Sequence, residues 1–239
     1  RQMSIGSKAR ATDPKERIRQ LIAEYAGDVS SLYNYGRIQY VQKISENYRF
    51  FHHELEYIEV FKEKLGFDII VGNPPWISIR FEEKEYICEV FPEVLIRKIS
   101  ASKVNELQHE YLNSSRLRGI YFEGVIEIEC TSVFLNSVAN YPLLLGQSTN
   151  LYKCILENGF YCLYEKGYLG LVHPESIYEE PNGHTLRKEV YRRLRFHFQF
   201  RNSLFLFSEI RDQKTYSINI YGNKTESILF YSISNLFHP

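Results

Sequence analysis

One short run of residues, Asn73-Pro74-Pro75-Trp76, has side chains that could hold a planar amine and stack on its ring. An aryl amine is a weak nucleophile because its lone pair is delocalised into the ring. It becomes more nucleophilic when two acceptors hold its N–H groups, and the carbonyls of Asn73 and Pro74 can be those acceptors. The two prolines have no N–H and a fixed φ, so the loop is stiff and its acceptors are preorganised. The ring of Trp76 can stack on a base, which is worth about 1–3 kcal/mol.

A buried strand is predicted to position this loop. Residues 67–71 are apolar except for Asp68 and mostly β-branched, and glycines at positions 66 and 72 bound them. This pattern is typical of a strand buried on both faces of a parallel sheet. Ligands of open α/β sheets bind beyond the carboxyl ends of the strands, where Asn73 begins. The alternative is a rigid turn in which Trp76 is packed in the core.

The elements around this strand predict an α/β fold. Residues 1–65 show helical spacing, beginning with a helix at Asp13, and residues 66–239 form the α/β part. Within it, residues 77–147 are predicted to be an insertion over the sheet, and residues 125–129 alternate like a strand. After residue 148 the patterns predict a helix, a strand, a helix and two strands, with the last two strands paired.

Further candidate binding residues lie downstream. His173 ends the second predicted strand, where it either lines a base pocket or is a structural histidine with satisfied hydrogen bonds. The stretch 187–201 is basic and interleaved with aromatic residues, so Arg187, Arg192 and Arg193 are candidates to bind phosphates. The alternative is a solvated helix face over an aromatic core strand.

The composition excludes several classes of protein. The net charge is +0, which gives no global basic footprint of the kind that nucleic-acid binding usually leaves, although this does not exclude such binding because a local basic cleft can lie in a neutral protein. The four cysteines form no Cys-x-x-Cys pair, and the histidines lack zinc-ligand spacing, so we predict no metal site. The sequence contains no run of about 18 apolar residues, so we predict no membrane span, and no signal peptide opens the chain. We therefore expect a cytoplasmic protein.

The Asn-Pro-Pro-Trp run resembles the Asn/Asp/Ser-Pro-Pro-aromatic motif of amino-methyltransferases. Residues 53–61 and 167–176 are similar to the flanks of that motif in N6-adenine DNA methylases of type IIG restriction–modification and phage-defence systems. The resemblance covers about residues 50–222. It implies the C-terminal half of a Rossmann-like class I methyltransferase sheet, preceded by a helical segment. It also implies S-adenosylmethionine as cofactor, an adenine flipped from double-stranded DNA as substrate, and other restriction or defence subunits as partners.

One departure from the family concerns the cofactor. No Gly-x-Gly turn follows a strand upstream of Asn73. The resemblance therefore implies that the cofactor-binding strands precede Arg1, and that this chain alone binds S-adenosylmethionine poorly and is inactive. Two alternatives stay open. The first is methylation of a protein glutamine amide or of the guanine amino group in ribosomal RNA. The second is a catalytically incomplete DNA-binding fragment.

Overall fold

The structure is a computed structural model that describes residues 36–82, 96, 100–148, 150–207 and 214–238. The chain divides into two compact units between Glu56 and Tyr57. In the first unit, the described helices are α1 (Gly36–Tyr48) and α2 (His53–Glu56), and neither buries any of its residues. The helix predicted to begin at Asp13 lies outside the described residues.

The second unit is built around a mixed five-stranded sheet in the order β1-β2-β4-β3-β5. β1 and β2 are parallel, β3 and β5 are parallel, and β4 runs antiparallel to both of its neighbours. Four strands thus share one direction, and their carboxyl ends meet the amino end of β4 at one edge, here called the carboxyl edge. The strands are β1 (Phe67–Gly72), β2 (Leu163–Pro174), β3 (Leu194–Arg201), β4 (Thr215–Tyr221) and β5 (Tyr231–Leu236).

Helices separate the first three strands along the chain, and the predicted α/β fold is confirmed. Two of them bury an apolar stripe in the main core, which includes Leu156, Leu186 and Val190. The sheet contributes Leu169 from β2 and its register partner Tyr221 from β4. The helices of the second unit are α3 (Ile58–Glu63), α4 (Ala101–Asn113), α5 (Ser115–Leu135), α6 (Leu151–Cys162), α7 (Ser176–Glu179) and α8 (His184–Arg193).

Among the described residues between β1 and β2, the regular structure is helical and includes the long helices α4 and α5. Residues 125–129, which alternate like a strand in the sequence, lie inside the 21-residue helix α5, so that prediction was wrong. The side chain of Ser114 caps this helix by accepting a hydrogen bond from the backbone N–H of Leu117. Five alternating residues are too short a signal to compete with the uninterrupted helix around them.

The prediction that β1 is buried on both faces was also wrong. The side chains of Ile69 and Val71 are 69% and 79% exposed. β1 stands first in the strand order and pairs only with β2 among the described residues. A sequence pattern reports the apolar character of a strand, whereas burial depends on which elements cover it.

Candidate functional site

The loop predicted to do chemistry begins at the carboxyl edge. Gly72 is paired with Leu171 in the parallel register, so Asn73 follows directly beside the end of β2. Asn73 is exposed, and we find no hydrogen bond to its side chain among the residues that the structure describes. Pro74 is buried and Pro75 is exposed. The amide of Asn73 therefore stands free on a loop whose second residue is anchored in the protein.

Trp76 is half-buried and held in one orientation. Its indole N–H donates a hydrogen bond of 3.2 Å to the carbonyl of Val172 in β2. Its ring lies 5.1 Å from the ring of Phe207 and 5.9 Å from that of Tyr216. We call Trp76, Phe207 and Tyr216 the aromatic cluster. The cluster joins the predicted loop to the amino end of β4, so Trp76 has structural contacts as well as an accessible part.

The residues after Trp76 are fixed to helix α6. The carbonyl of Ile77 accepts a 2.9 Å hydrogen bond from the backbone N–H of Leu151, the first residue of α6. Asn150 caps the same helix, since its side chain accepts from the N–H of Tyr152 at 3.3 Å. The loop is thus tied to a strand and to a helix within two consecutive residues, which limits its reorganisation.

The second predicted site residue, His173, is completely buried. One ring nitrogen lies 2.9 Å from the carbonyl of Pro174, and the other lies 2.6 Å from the hydroxyl of Tyr221 and 3.0 Å from the amide nitrogen of Asn219. The ring also stacks on Tyr152. The position of His173 therefore favours the structural alternative, in which it fixes the end of β2, over a direct contact with a base.

The burial of His173 makes stability depend on pH. Burial lowers the pKa of His173 to about 4, although the hydrogen bond to Pro174 opposes the shift. The unfolded chain then binds a proton more readily than the folded chain between pH 6.5 and pH 4. The stability that the neutral, buried form of His173 contributes is present above pH 6.5 and is lost as the pH falls from 6.5 to 4. At pH 5 we expect a loss of about 2 kcal/mol relative to pH 7.5.

Urea unfolding of wild type and His173→Gln at both pH values measures this loss. The wild type should lose about 2 kcal/mol more than the variant between pH 7.5 and pH 5. The other six histidines are common to both proteins and cancel in the comparison. Equal losses in the two proteins would contradict the assignment.

The predicted phosphate-binding arginines bond to the protein itself. Arg187 donates to the carbonyl of Glu180. Arg192 donates to the carbonyl of Thr225 at 2.8 Å and to the carboxylate of Glu226 at 2.7 Å. These bonds tie helix α8 to its surroundings and favour the structural alternative.

Arg193, the third of these residues, is held in the same way. It pairs with Glu189 at 2.8 Å, and its guanidinium lies 4.8 Å from the centre of the Phe160 ring. Lys188 and Arg201 of the same basic stretch are exposed. If the stretch binds phosphates, these two cations are better placed for it than the three predicted arginines.

Several residues at the carboxyl edge were not singled out from the sequence. Phe207 and Tyr216 complete the aromatic cluster, and Glu175 is a buried carboxylate directly after β2. The sequence offers one signal for Tyr216, which is its place at the start of an alternating strand. No sequence pattern signals Phe207 or Glu175, because their contacts join segments that are distant in the chain.

The described residues supply neither a metal site nor a cofactor site. No group of three or more His, Cys, Asp or Glu side chains in the described part is arranged to hold a metal. No strand precedes β1 within residues 36–82, and the edge holds no glycine-rich turn for an adenosyl group. These residues therefore do not fit S-adenosylmethionine. Among the described helices, none has the length and apolar character needed to span a membrane.

Comparisons with known proteins give low-identity matches to solved structures. One is a class I S-adenosylmethionine-dependent methyltransferase from Listeria monocytogenes, with 10% identity, a TM-score of 0.34 and coverage of 70% of this chain and 37% of that one. A complex of DrdV with DNA matches with 12% identity, a TM-score of 0.39 and coverage of 75% of this chain and 16% of that one. The ATP-dependent type ISP restriction–modification enzyme LlaBIII bound to DNA matches with 11% identity, a TM-score of 0.35 and coverage of 72% of this chain and 10% of that one. The chain thus spans between 10% and 37% of the length of these structures.

The sequence comparisons bear on the segment that carries the loop. No curated protein matches the chain. Residues 10–99, which include β1 and the Asn-Pro-Pro-Trp loop, match the model of the Eco57I restriction–modification methylase family.

Proposed function

We propose that this chain holds the target amine in a DNA methyltransferase of a restriction–modification or phage-defence system. The amine is the N6 group of an adenine flipped out of double-stranded DNA. The observation that carries the proposal is the free amide of Asn73, which stands at the carboxyl edge beside the immobilised ring of Trp76. Amine acceptors next to a stacking platform are what an extruded adenine requires.

The loop can hold the amine in a reactive geometry. The side-chain carbonyl of Asn73 accepts one N–H, and the backbone carbonyl of Pro74 accepts the other. Held in this way, the nitrogen becomes pyramidal and directs its lone pair away from the loop. Because Pro74 is buried and Ile77 is bonded to α6, the backbone that carries both acceptors moves little during the reaction.

The methyl group comes, in this proposal, from S-adenosylmethionine bound by residues outside those described. The match of residues 10–99 to a restriction–modification methylase family supports DNA as the substrate. It disfavours a glutamine amide or the guanine of ribosomal RNA. The resemblance of the flanks to N6-adenine methylases supports adenine as the base.

Trp76 should contribute by stacking. Trp76→Phe keeps a flat ring but loses the indole hydrogen bond to Val172, whereas Trp76→Ala loses both the ring and that bond. We expect Trp76→Ala to lower kcat/KM for DNA at least tenfold more than Trp76→Phe, since stacking on a base is worth about 1–3 kcal/mol. Steady-state methylation with both variants measures the ratio. Equal losses would show that Trp76 acts only through its contacts within the protein.

The function is tested on the full-length product of the gene that encodes this chain. The protein is incubated with labelled S-adenosylmethionine and unmethylated DNA, and the DNA is digested for mass spectrometry of its nucleosides. We expect N6-methyladenine as the labelled product. Ribosomal RNA and a release factor with an unmethylated glutamine serve as competing substrates in parallel reactions. Label in either of these, with none in DNA, would overturn the proposal.

A further inference from the structure

A buried carboxylate lies under the carboxyl edge, where the mechanism above does not use it. The side chain of Glu175, directly after β2, is 7% exposed. One of its oxygens accepts from the ring of His197 at 3.1 Å, and the other accepts from the amide of Gln199 at 2.9 Å. Ser217 of β4 is a third hydrogen-bond partner. Three side chains from β3 and β4 therefore hold one carboxylate at the end of β2.

The ionised form of this carboxylate is stabilised in place. Burial raises the pKa of Glu175, but the hydrogen bonds from His197, Ser217 and Gln199 outweigh burial and leave the pKa below its usual value. If the partners of a buried charge are removed, the charge is left uncompensated, and the protein is strongly destabilised. The end of β2 is thus fixed to two other strands by a strong, charge-assisted set of bonds.

The same end of β2 orients Trp76. Val172, whose carbonyl accepts the indole N–H, lies three residues before Glu175. Pro174, between them, is the register partner of Tyr216, which is a member of the aromatic cluster. A displacement of Glu175 therefore moves the acceptor of the indole and the neighbour of its ring together.

We propose that Glu175 is a positioning residue, which fixes the ring of Trp76 by clamping the end of β2 to β3 and β4. The clamp acts through Val172 and Tyr216 and makes no contact with the substrate. Its value for methylation rests on the proposed function, because only there does the orientation of Trp76 decide how well a base stacks. The clamp itself exists without DNA and without a methyl donor.

The fluorescence of Trp76 tests the clamp, because this is the only tryptophan in the chain. In Glu175→Gln the charge is lost, and an amide N–H replaces one acceptor and faces one of the donors. We expect the Trp76 emission to shift to longer wavelength and its acrylamide quenching constant to rise at least twofold. Far-ultraviolet circular dichroism at the same temperature confirms that the variant is folded.

Glu189→Gln is the matched control. Glu189 of helix α8 is a partly buried carboxylate, with a side chain 13% exposed, and it is paired with Arg193 of the same helix and with Lys224. Hydrogen bonds from Lys224 and Arg193 outweigh burial and leave its pKa lowered as well. It has no bond to β2, so the variant should lose comparable stability while the Trp76 emission stays unchanged. If both variants or neither shift the emission, the clamp is refuted.

A milder variant covers the case in which Glu175→Gln does not fold. Ser217→Ala removes one donor and keeps the charge, and a smaller shift of the Trp76 emission in the same direction is expected. Unchanged emission in Ser217→Ala would then overturn the proposal. The fluorescence result is independent of methylation. A shift in emission together with an absence of N6-methyladenine would refute the proposed function and leave the clamp standing.

Discussion

Replacement of Asn73 by alanine is expected to lower kcat for DNA methylation about 100- to 1,000-fold, the size of effect seen when one preorganised polar partner of a transition state is removed. The variant keeps the loop, because Asn73 is exposed and its side chain bonds to nothing else among the described residues. The free energy of unfolding should therefore stay within about 0.5 kcal/mol of the wild-type value. The loss comes from the missing acceptor for one amine N–H.

Two further variants separate chemistry from structure. Asn182→Ala changes an exposed asparagine in a turn before α8 and should leave the methylation rate unchanged. Asn73→Asp keeps an acceptor oxygen at the same place and should retain far more activity than Asn73→Ala. Single-turnover methylation rates with saturating DNA are compared for Asn73→Ala, Asn73→Asp and Asn182→Ala. A loss below fivefold in Asn73→Ala would remove the amide from the mechanism.

A large loss of stability is expected from Gly167→Ala. A Cβ at position 167 would lie 2.7 Å from the carbonyl oxygen of Phe67 and 2.9 Å from that of Asp68, both in the backbone of β1. Backbone cannot swing aside as a side-chain end can, so β1 and β2 would have to separate. We expect a destabilisation of about 3 kcal/mol, at the upper end for overpacking, measured by urea unfolding.

Gly119→Ala is the control for this substitution. Gly119 lies in helix α5, and nothing stands within 4 Å of a Cβ built there. Alanine in a helix interior is about 0.5–1 kcal/mol more stable than glycine, so this variant should gain stability. In Gly167→Ala, the emission of Trp76 should also shift, because the strand before Asn73 moves. A Gly167→Ala protein as stable as wild type would show that the two strands can adapt.

The sequence predicted those features that depend on neighbouring residues. The strand before Asn73, the helices after residue 148 and the alternating strands at residues 196–200 and 216–220 are all present. Strand β5 was not predicted, because its residues are mostly exposed and its register with β3 comes from pairing rather than from a buried face. The loop could be singled out from the sequence because the chemistry proposed for it depends on four consecutive residues.

The contacts that fix the site could not be predicted in the same way. The bond from Trp76 to Val172 joins residues 96 positions apart, and that from Arg192 to Thr225 joins residues 33 apart. A basic stretch has the same composition whether its arginines face solvent or protein carbonyls. Only the fold decides, and here the described arginines 187, 192 and 193 bond to the protein.

The insertion of β4 between β2 and β3 sets an order of events during synthesis. The ribosome makes the loop first and adds Tyr216, which lies in β4 and completes the aromatic cluster, 140 residues after Trp76. At roughly 5–20 residues per second, this interval lasts about 7–28 s. Once β2 and β3 are made, they have no strand between them until β4 follows, and the carboxylate of Glu175 lacks its partner Ser217 until then. A nascent chain therefore carries the Asn-Pro-Pro-Trp loop for seconds before Tyr216, which contacts the ring of Trp76, exists.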